Sequence, residues 1–179
     1  LYVPVDHAGR KLALVVMLHG CTQDPDDFAR GTRMNALAEE FGLIVAYPHQ
    51  PRTANAQGCW NWFDTRHQER GRGEPALLAG MAQALAAEFS IDFDRVFVAG
   101  LSAGGAMADA LSVTHPDVFA AVGVHSGLPH GAATDVMSAF EAMKGNAKPV
   151  ARQNRSRSRK IIFPGSIDTT VAPSNGQMV

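Results

Sequence analysis

The stretch Asp94-Arg-Val-Phe-Val-Ala-Gly-Leu-Ser-Ala-Gly-Gly105 decides the fold. Residues Asp94–Gly100 read as a strand, and Ala103–Leu111, small and apolar, as a tightly packed helix. Between them Gly100-Leu-Ser-Ala-Gly104 forms a G-x-S-x-G pattern on the strand-to-helix turn. The bare pattern is a loose signal, but one that closes a strand and opens a helix is a strong one. Small neighbours let so sharp a turn form without clashes. The helix start aims its free N–H groups and its positive dipole end at Ser102. That setting suits a nucleophile whose intermediate carries an oxyanion. The alternative is a Gly-rich turn with a Ser cap.

Outward from this turn, strand and helix patterns alternate. Leu12–Leu18 is a continuous apolar run, the mark of a strand buried on both faces, and His19-Gly20 breaks it. Arg30–Phe41 carries Met34, Leu37, Ala38 and Phe41 on one helical face, with Gly42 as its C-terminal cap. Leu43–Tyr47 reads as a second buried strand, stopped by Pro48. Residues 49–73 read as a long polar loop holding both tryptophans. Pro75 opens a further amphipathic helix through Phe89. Ala120–Val124 and Lys160–Phe163 read as the fourth and fifth strands, and Leu1–Val5 as an extended entry strand. This spacing implies right-handed βαβ units on a parallel sheet, an α/β fold. The basic run Arg152–Lys160 is expected to be a solvated loop, with anion binding as the lesser alternative.

Composition excludes several classes. The chain has 179 residues, 46% apolar and 18% charged, which suits a single globular domain with a real core. Sixteen Lys and Arg against seventeen Asp and Glu leave a formal charge of −1, with no field to attract nucleic acid. No apolar run approaches the roughly 20 residues of a membrane span. Two cysteines are too few for a disulfide scaffold or a four-thiolate zinc site. The seven histidines lack H-E-x-x-H spacing, so no metal and no cofactor is expected.

Two further segments carry chemistry. In α/β-hydrolases, which the serine turn resembles, the loop after the first central strand offers a second backbone donor to the oxyanion. Here that loop is His19-Gly20-Cys21, so the amides of Cys21 and Ala103 are assigned as the donors; the alternative is a plain strand-ending turn. Asp168, in Phe163-Pro-Gly-Ser-Ile-Asp168, follows the last strand and comes after the serine in chain order. It is assigned to orient a catalytic imidazole. His19 is expected to hydrogen-bond beneath the oxyanion loop. His125, Trp60 and Trp62 are candidates for lining the substrate site, with core or loop packing as the alternative for each.

Leu18-His-Gly-Cys-Thr-Gln23, Cys59-Trp-Asn-Trp-Phe-Asp64, Gly71-Arg-Gly-Glu-Pro75, Gly100-Leu-Ser-Ala-Gly-Gly105 and Asp168-Thr-Thr-Val-Ala-Pro173 together resemble the polyhydroxybutyrate-depolymerase family of esterases, which includes feruloyl and acetylxylan esterases. The resemblance spans about residues 12–176 and implies an α/β-hydrolase fold, a serine mechanism on carboxylic esters and, often, secretion. Where the family has Phe-His-Gly before the aspartate, this chain has Phe-Pro-Gly, a change expected to alter packing only. A catalytically inactive binding module, or a serine peptidase or thioesterase on the same fold, is the alternative. The resemblance also supports a Cys21–Cys59 disulfide, both cysteines being able to reach the carboxyl edge of the sheet, and hence an extracellular or periplasmic location. Two buried free thiols are the alternative.

One departure is large. In α/β-hydrolases the triad runs Ser, Asp, His along the chain, and here all seven histidines precede Asp168. The reading is a single α/β-hydrolase domain that lacks a C-terminal piece with the triad histidine. A sheet edge left unpaired by that piece is the expected route to self-association.

Overall fold

The computed structural model describes residues 1–147 and 158–179. Most of the basic run read as a solvated loop, 152–157, lies outside the described residues. The elements run β1 (Leu12–Leu18), α1 (Pro25–Thr32), α2 (Met34–Phe41), β2 (Leu43–Ala46), α3 (Gly73–Glu88), β3 (Ile91–Leu101), α4 (Ala103–Thr114), β4 (Ala121–His125), α5 (Val136–Glu141) and β5 (Arg159–Phe163). The strands form one all-parallel sheet in the order β2-β1-β3-β4-β5. This is the α/β-hydrolase arrangement, with β1 and β3 central and flanked on both sides.

The strand pleat divides the core. Leu12, Leu14, Val16 and Leu18 of β1 face one way, into a cluster with Val96 and Val98 of β3 and with Leu78, Ala82, Met107 and Leu111 of α3 and α4. Val15 and Met17 face the other way, toward Phe28, Ala38 and Met34 of α1 and α2. Helices therefore cover both faces, which is why β1 reads as unbroken apolar sequence. Near 25 cal/mol per Å², each fully buried Leu on these strands contributes about 2 kcal/mol of transfer free energy.

Several boundaries differ from the sequence reading. The single helix expected over Arg30–Phe41 is two, separated at Arg33, whose φ of 54° is left-handed. The earlier helix starts with an Asp24 side chain accepting from the Asp27 amide, with Pro25 in its first turn. The expected apolar face is only partly used: Ala38 is buried, but Phe41 is 61% exposed. Leu1–Val5 forms no strand; Tyr2 makes one antiparallel bridge to Val45 on the β2 edge. At the opposite edge no described strand pairs with the outer side of β5, whose Ile161 and Phe163 are exposed. No described helix is long and apolar enough to cross a membrane.

Candidate active site

Ser102 occupies the turn between β3 and α4 with φ 55° and ψ −117°, a conformation that L residues rarely adopt. Its amide donates to the His125 carbonyl at 2.9 Å, and its carbonyl accepts from the Ala106 amide at 2.9 Å. The strain is held by close packing that only glycine permits. A Cβ on Gly100 would lie 2.2 Å from the Gly104 oxygen, and one on Gly104 would lie 2.1 Å from the Leu18 oxygen. The helix start is thereby pressed onto the end of β1, which brings the oxyanion loop to the serine.

The Gly20 α-carbon lies beside Ser102: a Cβ there would be 3.7 Å from the Ser102 Cβ and 3.5 Å from the Leu101 oxygen. Cys21 follows it, and Ala103 opens α4. Among the described residues, neither the Cys21 nor the Ala103 N–H donates to a protein acceptor. Two unspent amides thus flank a strained serine at a helix N-terminus, an arrangement able to stabilise developing negative charge on a carbonyl oxygen.

Asp168 sits beyond β5. Its Oδ1 accepts from the Thr170 and Val171 amides, both at 2.9 Å. The Val171 amide holds its carboxyl below the usual range, with smaller help from the Thr170 amide, the Ser126 hydroxyl and the nearby His125. The carboxylate is therefore ionised at neutral pH, and Oδ2 keeps its capacity to accept from an imidazole. His125 ends β4 and stacks on Phe163 with ring centroids 6.3 Å apart. Among the described residues no histidine nitrogen hydrogen-bonds to the Ser102 hydroxyl or to the Asp168 carboxylate.

Both tryptophans pack in the core, the alternative weighed for each. Trp60 is 3% and Trp62 7% exposed, both in the main core. The Trp60 indole N–H donates to the His19 carbonyl at 3.1 Å, so this ring backs the oxyanion loop from below. Their polar surroundings in sequence hid this, because the contacts that bury them are non-local.

Cys21 and Cys59 are joined in a disulfide, which ties the Trp60–Trp62 loop to the oxyanion loop. His19 is 1% exposed, with Nδ1 2.8 Å from the Gly20 carbonyl and Nε2 3.2 Å from the Gln50 amide. Burial pushes its pKa below the ordinary value of 6.5. Glu74, within Gly71-Arg-Gly-Glu-Pro75, is a further buried polar residue beside this loop. It is 6% exposed and takes hydrogen bonds from the Gln50 side chain (2.6 Å), the Asn61 side chain (2.6 Å) and the Asn61 amide (2.8 Å). Its signal in the sequence was the placement of an acidic residue in the first turn of an otherwise apolar helix. No group of three or more His, Cys, Asp or Glu suited to a metal occurs among the described residues.

The family model described as "Esterase PHB depolymerase" matches residues 1–177. Poly(3-hydroxyalkanoate) depolymerase C of Paucimonas lemoignei is 37% identical, over 90% of this chain and 42% of its own length. Feruloyl esterase B of Neurospora crassa is 34% identical, over 77% of this chain and 46% of its own. The solved acetyl xylan esterase of Aspergillus awamori superposes with a TM-score of 0.86 at 28% identity, covering 97% of this chain and 69% of that one. The chain thus spans under half the length of these two curated relatives.

Proposed function

The chain belongs to the esterase PHB depolymerase family, and from that membership we propose that it is a serine hydrolase of carboxylic esters. The observation that carries the reading is the Ser102 turn, with φ 55° and two unspent amides at its mouth. Ser102 Oγ attacks the ester carbonyl while a histidine, oriented by the Asp168 carboxylate, takes its proton. The Cys21 and Ala103 amides hold the oxyanion. The tetrahedral intermediate collapses, the alcohol leaves with the proton from the histidine, and an acyl-Ser102 ester remains. Water, deprotonated by the same histidine, then releases the acid and restores Ser102.

The relatives' names span a polyhydroxyalkanoate depolymerase, a feruloyl esterase and an acetyl xylan esterase, so the substrate class is a carboxylic ester with a small or polymeric alcohol side. The Cys21–Cys59 bond supports an oxidising, extracellular or periplasmic site of action. The deciding assay presents p-nitrophenyl butyrate, poly(3-hydroxybutyrate), acetylated xylan and a feruloyl ester to the full-length protein and to its Ser102→Ala variant. Turnover of at least one ester that is lost in the variant supports the reading. Turnover of none favours a binding module, and turnover that survives in Ser102→Ala refutes the assigned nucleophile.

A further inference from the structure

We propose that Glu74 is a positioning residue for the oxyanion hole, acting through Gln50 and His19 on the peptide plane between Gly20 and Cys21. The inference rests on Cys21 being an oxyanion donor. In a trans peptide the C=O and N–H point in opposite directions, and no peptide bond in the described chain is cis. Whatever fixes the Gly20 carbonyl therefore aims the Cys21 N–H. The shorter contact to it comes from the His19 ring, whose Nδ1 lies 2.8 Å from the Gly20 oxygen, while the Gln23 amide donates to the same oxygen at 3.4 Å. The His19 bond needs the ring proton on Nδ1.

The Gln50 amide enforces this tautomer. It donates to Nε2 at 3.2 Å, which requires Nε2 to be bare. Gln50 is itself anchored by its side chain, which donates to the Cys59 carbonyl at 3.0 Å and to Glu74 Oε1 at 2.6 Å. Glu74 is the fixed end. Its two oxygens also take the side chain and the amide of Asn61, and it lies in the first turn of α3, where the helix dipole favours an anion. Gly73, with φ 58°, lets the chain turn into that position: a Cβ there would lie 2.6 Å from the Arg66 oxygen.

The other side of the loop is held independently. The Gly20 amide donates to Gln23 Oε1 at 2.8 Å, and Trp60 holds the His19 carbonyl. The peptide between Gly20 and Cys21 is thus the one on which the Glu74–Gln50–His19 chain acts, through a contact shorter than the 3.4 Å one from the Gln23 amide. A buried carboxylate with three donors is costly to assemble and costly to break. That cost is justified where a small rotation of one amide changes transition-state stabilisation.

The test compares the native protein with Glu74→Gln and with Gln50→Met, which leaves Glu74 and its Asn61 contacts in place. In Glu74→Gln, kcat on p-nitrophenyl acetate falls at least about tenfold per folded molecule while KM stays within about twofold. Affinity for a trifluoromethyl ketone, which forms an oxyanion adduct on the serine, falls in parallel with kcat. Nitrogen-15 shifts of His19 report a single Nδ1–H tautomer in the native protein and a mixture in the variant. Gln50→Met changes all three in the same direction and decides the question if Glu74→Gln does not fold. A purely structural Glu74 lowers the melting temperature and leaves kcat per folded molecule, ketone affinity and tautomer unchanged. That result in the folded variants overturns the proposal. If the full-length protein hydrolyses no ester, the esterase reading falls, and the His19 tautomer still decides whether Glu74 acts through this chain of contacts.

Discussion

The α-carbon of Gly104 rests against the carbonyl of Leu18 so closely that a Cβ would sit 2.1 Å from that oxygen and 2.6 Å from the oxygen of His19. The contact joins the first turn of α4 to the end of β1, and both obstructing atoms are backbone, which cannot swing aside. Gly104→Ala is therefore expected to destabilise the fold by about 3 kcal/mol or more, through forced separation of helix and strand. Gly80→Ala is the control: nothing lies within 4 Å of its Cβ position inside α3, so a gain of about 0.5–1 kcal/mol is expected. Denaturant unfolding of both variants checks the contrast. Equal effects would show that the approach of α4 to β1 is looser than described.

Ser102 stores strain as well as reactivity. Ser102→Ala should lose at least about 10³ in kcat and all labelling by a fluorophosphonate. Ser102→Gly should be equally inactive but more stable than Ser102→Ala by about 1–2 kcal/mol, because glycine accepts φ 55° without a Cβ penalty. Thermal melts of the two inactive variants isolate the strain from the chemistry. Equal melting temperatures would remove the strain argument.

The parallel sheet was legible because its central strands are covered on both faces, so β1 and the C-terminal half of β3 stand out as apolar runs that need no partner to be recognised. The serine turn was legible because its glycines are local requirements. What sequence could not show were contacts made across the fold. Leu37 and Phe41 match a helical stripe, yet both are exposed, because the turn at Arg33 re-aims α2. Trp60 and Trp62 look like groove residues in a polar loop, and are core residues because Glu74, Asn61 and the disulfide fold that loop inward. The helix over Pro25–Thr32 has a start signal in Asp24-Pro25-Asp26-Asp27, an N-cap with proline and acids in the first turn, but no apolar stripe, since Phe28 is its one buried residue.

The Cys21–Cys59 bond closes a loop with a sequence separation of 38 at the residue whose amide is assigned to the oxyanion. In the chain-entropy account, closure of that length contributes about 4 kcal/mol. Cys59→Ser, or reduction in mild thiol, should lower stability by about 2–4 kcal/mol. It should also lower kcat more than KM, since the freed loop no longer fixes the Cys21 N–H. Activity and melting temperature are followed together across a redox titration. A loss of stability with unchanged kcat at a temperature where the reduced protein stays folded would detach the disulfide from the oxyanion hole.

Stability should also fall on mild acidification, and the sign follows from His19. Burial depresses its folded pKa below 6.5, the Gly20 carbonyl opposing and a nearby His49 assisting. The unfolded chain therefore binds the proton more readily than the folded one. The stabilisation from keeping the ring neutral is complete above pH 6.5 and is lost progressively as pH falls from 6.5 toward the depressed folded value. His115 is depressed the same way, chiefly by burial, and adds to the slope over the same window. The Asp168 carboxyl, held low by the Val171 amide, keeps its contribution above its ordinary value of 3.8 and loses it only below, so the two windows separate. A protonated His19 would also present an Nε2–H to the Gln50 N–H, so acid strains the oxyanion loop as it weakens the fold. Unfolding free energies measured between pH 5 and 7 should show a positive slope that is reduced, not abolished, in His19→Gln. A slope identical in the variant would mean that His19 is not the proton acceptor that couples this loop to pH.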